Sequence, residues 1–283
     1  KYEFWGNYLQ QLRKRGIPVY IISAIFRPGQ IFFKPWGGEF RAMLRCFKHL
    51  YVQDEASKEL LAGIGITNVT VTGDTRFDRV ANVRAGRCAI EGIDRMMKDA
   101  KVRLVFGSSW PADEQIYIPW LLQHAEAKFI IAPHEFDQER LKSLVHELRP
   151  LKVMLLSRWQ QAGSPADVDG IIVDSFGHLS SLYRFADVAY VGGGFGVGIH
   201  NINEAAVYGI PVLFGPNNRK FREAAGLREA GGGFEVHDAA DFSAIMKRLE
   251  APEQLQKASQ AAEHFIQENL GATDRIYRDI FHD

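Results

Sequence analysis

Short runs of apolar and β-branched residues alternate along the chain with longer segments that have the periodicity of amphipathic helices. Most of the short runs are apolar at every position, which is typical of parallel strands covered on both faces. The helical segments between them often begin at Asp or Pro and end near Gly. Strands are predicted at residues 19–24, 50–53, 69–73, 103–109, 128–134, 152–157, 170–175, 188–194 and 210–216. The alternation predicts βαβ units and a doubly wound α/β fold.

The order of these elements predicts two unequal parts. A charged, helical stretch at residues 78–100 separates two sets of strands, of which only the second is long enough for a complete domain. We therefore expect a partial N-terminal α/β domain at 1–80, a complete Rossmann-like domain at 81–251, and two helices at 252–283 that cross back to the first domain. The chain has no initiator Met and opens inside an amphipathic pattern, so we expect it to be the later part of a longer protein.

Composition narrows the choice of partners. The 34 basic residues balance the 34 acidic residues, so no broad basic surface for nucleic acid is expected. Cys46 and Cys88 lie far apart, which argues against a disulfide or zinc framework. No apolar run reaches about 18 residues, so no membrane-spanning segment is expected.

Polar or glycine-rich turns follow several of the predicted strands. In an open α/β sheet, ligands bind beyond the carboxyl ends of the strands. The turns are GSSWPADE, APHEFD, DSFGHL, GGGFGVGIHNINE and FGPNNRKFREA. They predict a binding crevice at one edge of the sheet.

The stretch at residues 192–217 contains seven glycines beside a histidine and a glutamate. Glycines in a loop allow positive φ and let the backbone approach a ligand. The pattern predicts a helix that begins at about His200, whose first N–H groups would bind an anion, and Glu204 would share a face with His200 one turn later. The alternative is a tight strand-to-helix turn in which Glu204 only complements the helix dipole. A dinucleotide-binding fingerprint is absent from the stretch.

Several segments together resemble the glycosyltransferases of the GT-B fold and, more narrowly, the 3-deoxy-D-manno-octulosonic acid (Kdo) transferase family. They occur in the family's order and cover almost the whole chain. The segments are EFWGNYL, YVQDEASKELLAGIG, VTGDTRFDRV, GSSWPADE, IAPHE, VDSFGHL, YVGGGFGVGIHNINEAAVYGIPVLFGPN and KFREAAGL.

The resemblance implies a GT-B enzyme that transfers Kdo from CMP-Kdo to a lipid A precursor in the lipopolysaccharide biosynthesis of Gram-negative bacteria. It implies no metal or other cofactor, and a location at the cytoplasmic face of the inner membrane, reached through an N-terminal part. Roughly the first hundred or more residues of such an enzyme do not occur in this chain. Because the family's general base is a glutamate in that part, this chain alone is expected to be inactive.

The resemblance also implies roles for individual residues. Three segments of the family contact CMP, and they match Pro133, His134, Phe176, Gly177, His178, Leu179, Asn201, Ile202, Asn203 and Glu204. The turns at the same edge add Ser108, Ser109, Gly194, His200 and Lys220 as nucleotide-binding candidates. Arg76 and Glu3 match residues thought to stabilise the transition state. The chain begins KYEFWGN where relatives often have E-T-E-L-W-P-N, so the first acid and the proline are missing.

Other interpretations remain open. A GT-B transferase or epimerase that uses a UDP-sugar would have a similar sequence layout, and so would an inactive nucleotide-binding fragment. Ser108 and Ser109 could simply cap a helix, and Glu114 could be a partner of the helix dipole. The aromatic residues around the loop at 28–40 form either a hydrophobic plug or a surface that meets a lipid acceptor.

Overall fold

A computed structural model of the chain describes residues 4–86 and 90–282. Glu3 and Cys88, both singled out in the sequence, lie outside the described residues. The chain divides into two compact units. The first contains Lys1–Arg79 and Asn269–Asp283, and the second contains Val80–Glu268.

The first unit is built on a small parallel sheet. Its strands are β1 (Tyr20–Ala24), β2 (His49–Val52) and β3 (Val69–Val71), which pair in the order β1-β2-β3. Its helices are α1 (Gly6–Lys14), α2 (Gly38–Leu44), α3 (Glu55–Ala62) and the start of α4 (Thr75–Ala85), with a 3₁₀ turn at Ile31–Phe33. Asp54 caps α3 by accepting the N–H of Ser57 at 2.6 Å.

The aromatic residues around the loop at 28–40 are partly in the core of the first unit and partly on its surface. Phe26 and Phe32 are only 5% and 6% exposed and pack edge to face, so these two rings are a hydrophobic plug. Trp36, by contrast, is 73% exposed, and Phe40 is 39% exposed. The core consists of Leu9, Phe26, Phe32, Leu44, Phe47, Leu50, Val52, Leu61, Ile66 and Val69.

The second unit is a doubly wound α/β domain. Its strands are β4 (Val102–Ser109), β5 (Ala127–Pro133), β6 (Val153–Leu155), β7 (Gly170–Ile172), β8 (Val188–Val191), β9 (Val212–Phe214) and β10 (Gly233–Glu235). All pairs are parallel, in the order β10-β9-β8-β4-β5-β7-β6. Its helices are α5 (Ile93–Met97), α6 (Pro111–Leu121), α7 (Gln138–Glu147), α8 (Leu156–Gln161), α9 (Leu179–Leu182), α10 (Asn203–Ala206), α11 (Arg222–Ala230), α12 (Ala239–Leu249) and α13 (Pro252–Glu268).

The strand order places a switch point between β4 and β8. From β4 the chain continues to β5 on one side, whereas β8, β9 and β10 extend the sheet on the other side. At such a point the connections leave in opposite directions and open a crevice beyond the carboxyl ends of the strands. The residues after β4 and β8 therefore lie where a ligand is expected to bind.

The predicted strands all occur, with shifted ends. One strand, β10, was missed because the run from Gly233 is only three residues long and follows two glycines. The helical stretch predicted at 78–100 contains the end of α4 and a separate helix, α5. The tail at 252–283 forms two helices that belong to different units: α13 to the second, and α14 (Ala272–Phe281) to the first. In the first unit, Asp78 accepts the N–H groups of Gly271 and Thr273 at 2.6 and 2.7 Å, which fixes the start of α14.

Candidate functional site

The end of β4 changes direction at a bulge. The register with β5 shifts between Gly107 and Ser109, and Ser108 between them has a φ of 52°, in the left-handed region that non-glycine residues rarely adopt. Such strain persists only where the surrounding structure holds it in place. Its effect here is to turn the chain at the switch point toward the start of α6.

The glycines after β8 allow the backbone of neighbouring segments to come close. A Cβ on Gly192 would lie 2.4 Å from the carbonyl oxygen of Ser108, and one on Gly194 would lie 2.5 Å from the Cα of Gly215. Gly193 has a φ of +92°. Close packing of strand ends thus accounts for several of the seven glycines, and their number alone does not indicate a ligand.

Asp113 is the polar centre of this packing. Its side chain is fully buried and accepts hydrogen bonds from the backbone N–H of Trp110 at 2.9 Å and of Gly193 at 2.9 Å. It also accepts the hydroxyl of Tyr190 at 2.8 Å, and burial followed by the charge of Asp113 raises the pKa of Tyr190, which keeps that hydroxyl protonated. Asp113 therefore ties the end of β4 to the end of β8. Because it caps α6, the serine caps considered in the sequence are not needed.

One indole and two imidazole rings lie together at the switch point. The ring of Trp110 stacks on His134 with centroids 4.5 Å apart, and its Nε1–H donates to Nε2 of His200 at 3.3 Å. The two imidazole centroids are also 4.5 Å apart. Burial lowers the pKa of His200 below its ordinary value and His134 lowers it further, whereas Asp113 and Glu204 act in the opposite direction.

Glu204 lies where two of the predicted segments meet. Its carboxylate accepts the hydroxyl of Ser180 at 2.5 Å and the side-chain amide of Asn201 at 3.2 Å. Ser180 directly follows the segment from Phe176 to Leu179 and belongs to α9. The turn after β7 and the loop after β8 are thereby joined through one carboxylate.

The helix expected at His200 begins later and is short. It is α10, four residues from Asn203, and the N–H of Asn203 already donates to the side-chain oxygen of Asn201 at 3.3 Å. So short a helix has a weak dipole, and one of its few N–H groups is satisfied. The helix start predicted at His200 was therefore wrong, and the binding of an anion by His200 and Asn201 stays a prediction.

Two aromatic rings, the exposed Phe176 and the partly buried Phe136, lie in the turns after β7 and β5. Phe176 is 83% exposed, and its ring centroid lies 4.5 Å from that of Phe136. Gly177 follows with a φ of +87°, and the partly exposed His178 precedes α9. Leu179 lies near the end of β4, since a Cβ on Gly107 would come within 2.9 Å of its side chain.

The remaining nucleotide-binding candidates differ in burial and in their hydrogen-bond partners. Pro133 and Gly194 are buried at strand ends, and Ser109 donates its hydroxyl to the buried Glu114, which also pairs with Arg140. Lys220 is exposed after β9. Ile202 and Asn203 are completely buried. Within the described residues, neither polar atom of the Asn203 side chain has a hydrogen-bond partner.

Arg76 belongs to the first unit, at the start of α4. Its guanidinium contacts the carboxylate of Asp74, with Nε 2.8 Å and Nη2 2.6 Å from Oδ2. The backbone N–H of Arg76 also donates to Asp74, at 2.9 Å. The carboxylate therefore orients the side chain that the sequence singled out for the transition state.

The residues that the structure describes contain neither a metal-binding cluster nor a membrane-spanning helix. Residues 4–86 and 90–282 include no group of three or more His, Cys, Asp or Glu side chains that could hold a metal ion. Over the same residues, no helix is both long and apolar enough to cross a membrane.

Sequence reasoning missed some residues that organise this edge. Trp110 and Asp113 lie inside the turn GSSWPADE that the sequence had singled out, but neither was named. The acid three residues after Trp110 follows the spacing of a capping box, which could have indicated Asp113. Phe136 and Ser180 carried no comparable signal, because their contacts are with residues of other loops.

The sequence is similar to those of known Kdo transferases. The family described as 3-Deoxy-D-manno-octulosonic-acid transferase (kdotransferase) matches residues 1–79. The 3-deoxy-D-manno-octulosonic acid transferase of Bordetella pertussis is 26% identical and matches 96% of this chain. The chain spans 65% of the length of that relative.

Solved structures resemble the chain in fold. The C-terminal CMP-Kdo binding domain of WaaA from Acinetobacter baumannii matches with a TM-score of 0.52 and 20% identity, covering 68% of this chain and 99% of that domain. A putative UDP-N-acetylglucosamine 2-epimerase from Listeria monocytogenes matches with a TM-score of 0.62 and 12% identity, covering 97% of this chain and 71% of the epimerase. The expected α/β fold class of GT-B type is confirmed.

Proposed function

We propose that the chain, which resembles the Kdo transferases, carries the donor site of a glycosyltransferase that moves Kdo from CMP-Kdo to a lipid A precursor in lipopolysaccharide biosynthesis. One observation supports this proposal above the others. The three segments expected to contact CMP meet at one sheet edge, where His134 contacts His200 and Glu204 accepts the hydroxyl of Ser180. The relative from Bordetella pertussis named above is itself called a transferase of this sugar.

The chemistry of the edge suits a nucleotide sugar. Glu204 is a partly exposed carboxylate at the crevice, and sugar hydroxyls are good donors to such an acceptor. His134 and His200 supply imidazole groups for the phosphate or ribose, and Lys220 adds a cation from the turn after β9. We also propose that the exposed ring of Phe176, which packs on the partly buried Phe136, stacks against the cytosine ring, since base stacking uses exposed aromatic faces.

Arg76 is proposed to stabilise the departing phosphate during transfer. Breaking the anomeric C–O bond leaves negative charge on the CMP oxygen, and a positioned guanidinium is suited to stabilise that charge. Asp74 holds the Arg76 guanidinium through Nε, which leaves the side chain with a defined orientation. For Glu3, a role in stabilising the transition state is proposed on the family resemblance alone.

Nucleotide preference tests the donor assignment directly. We expect calorimetry to detect binding of CMP, and binding of UDP to be at least tenfold weaker, because the site would read the cytosine base. Glu204→Gln should weaken CMP-Kdo binding more than it weakens CMP binding if the carboxylate holds a sugar hydroxyl. Glu229→Gln, at an exposed position of α11, serves as the matched control. Equal binding of CMP and UDP, or binding of neither, would overturn the assignment.

The epimerase likeness defines the second candidate. A UDP-sugar enzyme is favoured by the TM-score of 0.62 with the Listeria protein, although this likeness concerns the fold. Preference for UDP over CMP in the same experiment would select it. An inactive nucleotide-binding fragment would bind CMP, yet the full-length protein would transfer no Kdo from CMP-Kdo to a lipid A precursor.

The acceptor, the location and the absence of cofactors are proposals that rest on the family resemblance. We propose that the acceptor is a lipid A precursor, met at the cytoplasmic face of the inner membrane. We also propose that CMP-Kdo is used without a metal or another cofactor. Transfer of Kdo by the full-length protein in the presence of EDTA would support catalysis without a metal. Recovery of the protein together with inner-membrane vesicles would support the location.

A further inference from the structure

Trp110 occupies the switch point itself, between the end of β4 and the start of α6. Its backbone N–H is held by Asp113, and the same carboxylate holds Gly193 after β8. The residue is therefore fixed to both strands that flank the crevice. Its ring is held as well, by the stack on His134 with centroids 4.5 Å apart.

The hydrogen bond from Trp110 decides where His200 carries its proton. An indole N–H can only donate, so Nε2 of His200, 3.3 Å from the Trp110 nitrogen, must accept and be unprotonated. A neutral imidazole has one proton, which then lies on Nδ1. A second proton on Nε2 would oppose the indole N–H and break this contact.

The opposite edge of the His200 ring is left for another molecule. A Cβ on Gly193 would lie 3.0 Å from Cδ2 of His200, so the edge formed by Cδ2 and Nε2 faces Gly193 and Trp110. Nδ1 lies across the ring from that edge. In the part of the chain that the structure describes, no hydrogen bond involves Nδ1 of His200, although the residue is only partly exposed. A partly buried N–H of this kind calls for an acceptor.

We propose that Trp110 is a positioning residue that holds His200 as a neutral imidazole with its proton on Nδ1, so that His200 donates a hydrogen bond to an oxygen of the bound cytidine nucleotide. This rests on the proposed CMP-sugar site. Without the indole N–H, Nε2 competes with Nδ1 for the proton, and the ring becomes easier to protonate. The groups that face His200 are His134 after β5, Asp113 of α6 and Glu204 of α10. The first opposes protonation and the other two favour it.

The substitution Trp110→Phe separates the hydrogen bond from the stack, because phenylalanine keeps an aromatic ring against His134 but has no N–H. ¹⁵N spectra of the imidazole nitrogens, assigned with His200→Gln, should show Nδ1–H in the wild type. In Trp110→Phe they should show a mixture of the two tautomers and a raised pKa of His200. We expect CMP affinity to fall about three- to tenfold, the range for one hydrogen bond, and to vary more strongly between about pH 6 and 7.5.

Trp120→Phe is the matched control, since Trp120 also stacks on a histidine, His124, with centroids 3.9 Å apart, at the other end of α6. It should leave the His200 spectrum and the CMP affinity unchanged, even where the melting temperature drops. A wild-type spectrum with the proton on Nε2, or wild-type tautomer and affinity in Trp110→Phe, would overturn the proposal. The spectra are recorded without nucleotide, so the positioning of His200 is judged even when CMP fails to bind, a failure that counts against the proposed function.

Discussion

The carboxyl edges of the two sheets contain the same backbone feature, but it has a different role in each. Each first strand in its unit ends at a register shift with a serine in the left-handed region: Ser23 in β1 with a φ of 51°, and Ser108 in β4 with a φ of 52°. In the first unit the Ser23 hydroxyl contacts that of Thr75 at 2.7 Å and accepts the Thr75 N–H at 3.0 Å. Gln53 donates to the Ser23 carbonyl oxygen at 3.0 Å.

The edge of the second unit is arranged differently. There the carbonyl oxygen of Ser108 lies against Gly192, and the polar groups that emerge are the His134 and His200 rings and the Glu204 carboxylate. In the first unit the strained serine is used to tie strand to helix. In the second, it brings Trp110 to the crevice. A strained residue at a strand end thus indicates a place where the chain changes direction. The side chains around it determine whether a ligand site forms there.

The largest expected effect comes from the glycine contacts at the two edges. Gly192→Ala places a Cβ 2.4 Å from the Ser108 carbonyl oxygen and 2.6 Å from the Ser109 Cα, so we expect the free energy of unfolding to fall by about 3 kcal/mol or more. Gly73→Ala, in the first unit, meets only side chains at 3.4 Å or beyond but has a φ of +90°, so about 1 kcal/mol is expected. Urea denaturation measures both. Gly196→Ala, whose Cβ would meet nothing closer than 3.7 Å, is the control. An equal loss at Gly192 and Gly73 would contradict the comparison.

Removing the carboxylates should distinguish the edges next. Asp113→Ala leaves two backbone N–H groups and the Tyr190 hydroxyl without their acceptor, which should cost about 2 kcal/mol of unfolding free energy. Asp74→Ala, which releases the 43% exposed side chain of Arg76, should cost about 1 kcal/mol or less. Thermal denaturation compares them. Asp113→Asn keeps one oxygen acceptor and should fall between wild type and Asp113→Ala. A cost at Asp74 that exceeds the cost at Asp113 would show that the first edge is the more tightly bound.

The two strained serines provide a smaller and more direct test. Ser108→Gly relieves the strain of a positive φ, but glycine also has more conformational freedom in the unfolded chain, which offsets part of the gain. We therefore expect the free energy of unfolding to rise by up to about 0.5 kcal/mol. Ser23→Gly gains the same relief but loses the hydroxyl contacts with Thr75, so a net loss of about 1 kcal/mol is expected. Chemical denaturation of the two variants gives the sign of each change. The contrast fails when both variants change stability in the same direction.

The smallest effect is a pH dependence confined to the second edge. The pKa of His200 is lowered by folding, so the unfolded chain binds more protons just below the ordinary histidine value near 6.5. Stability should therefore rise with pH through the window between the lowered pKa and about 6.5, and then stop rising on this account. His200→Gln should remove that part of the slope, and His134→Gln should reduce it. Unfolding free energies at several pH values from about 5 to 7.5 measure the slopes; a slope in His200→Gln equal to that of wild type would rule out this contribution.

Much of the fold followed from local pattern. The apolar runs at the strands and the Asp or Pro residues at helix starts carry their information within a few residues, so the strands and the switch-point edge could be predicted. The start of α10 could not be predicted, because the side chain of Asn201 accepts the N–H of Asn203 at the beginning of the helix. The short β10 lacked enough residues to show a pattern.

The sequence by itself determined the α/β class, the resemblance to the Kdo transferases and the turns in which the candidate site residues lie. Those features are written in consecutive residues, as in APHE and HNINE. Only the tertiary structure decided that Trp110 donates to His200, 90 positions further along the chain, and that Glu204 binds Ser180. The physical reason is that parallel strands bring the ends of distant segments to one edge, where hydrogen-bond partners are chosen by distance in space.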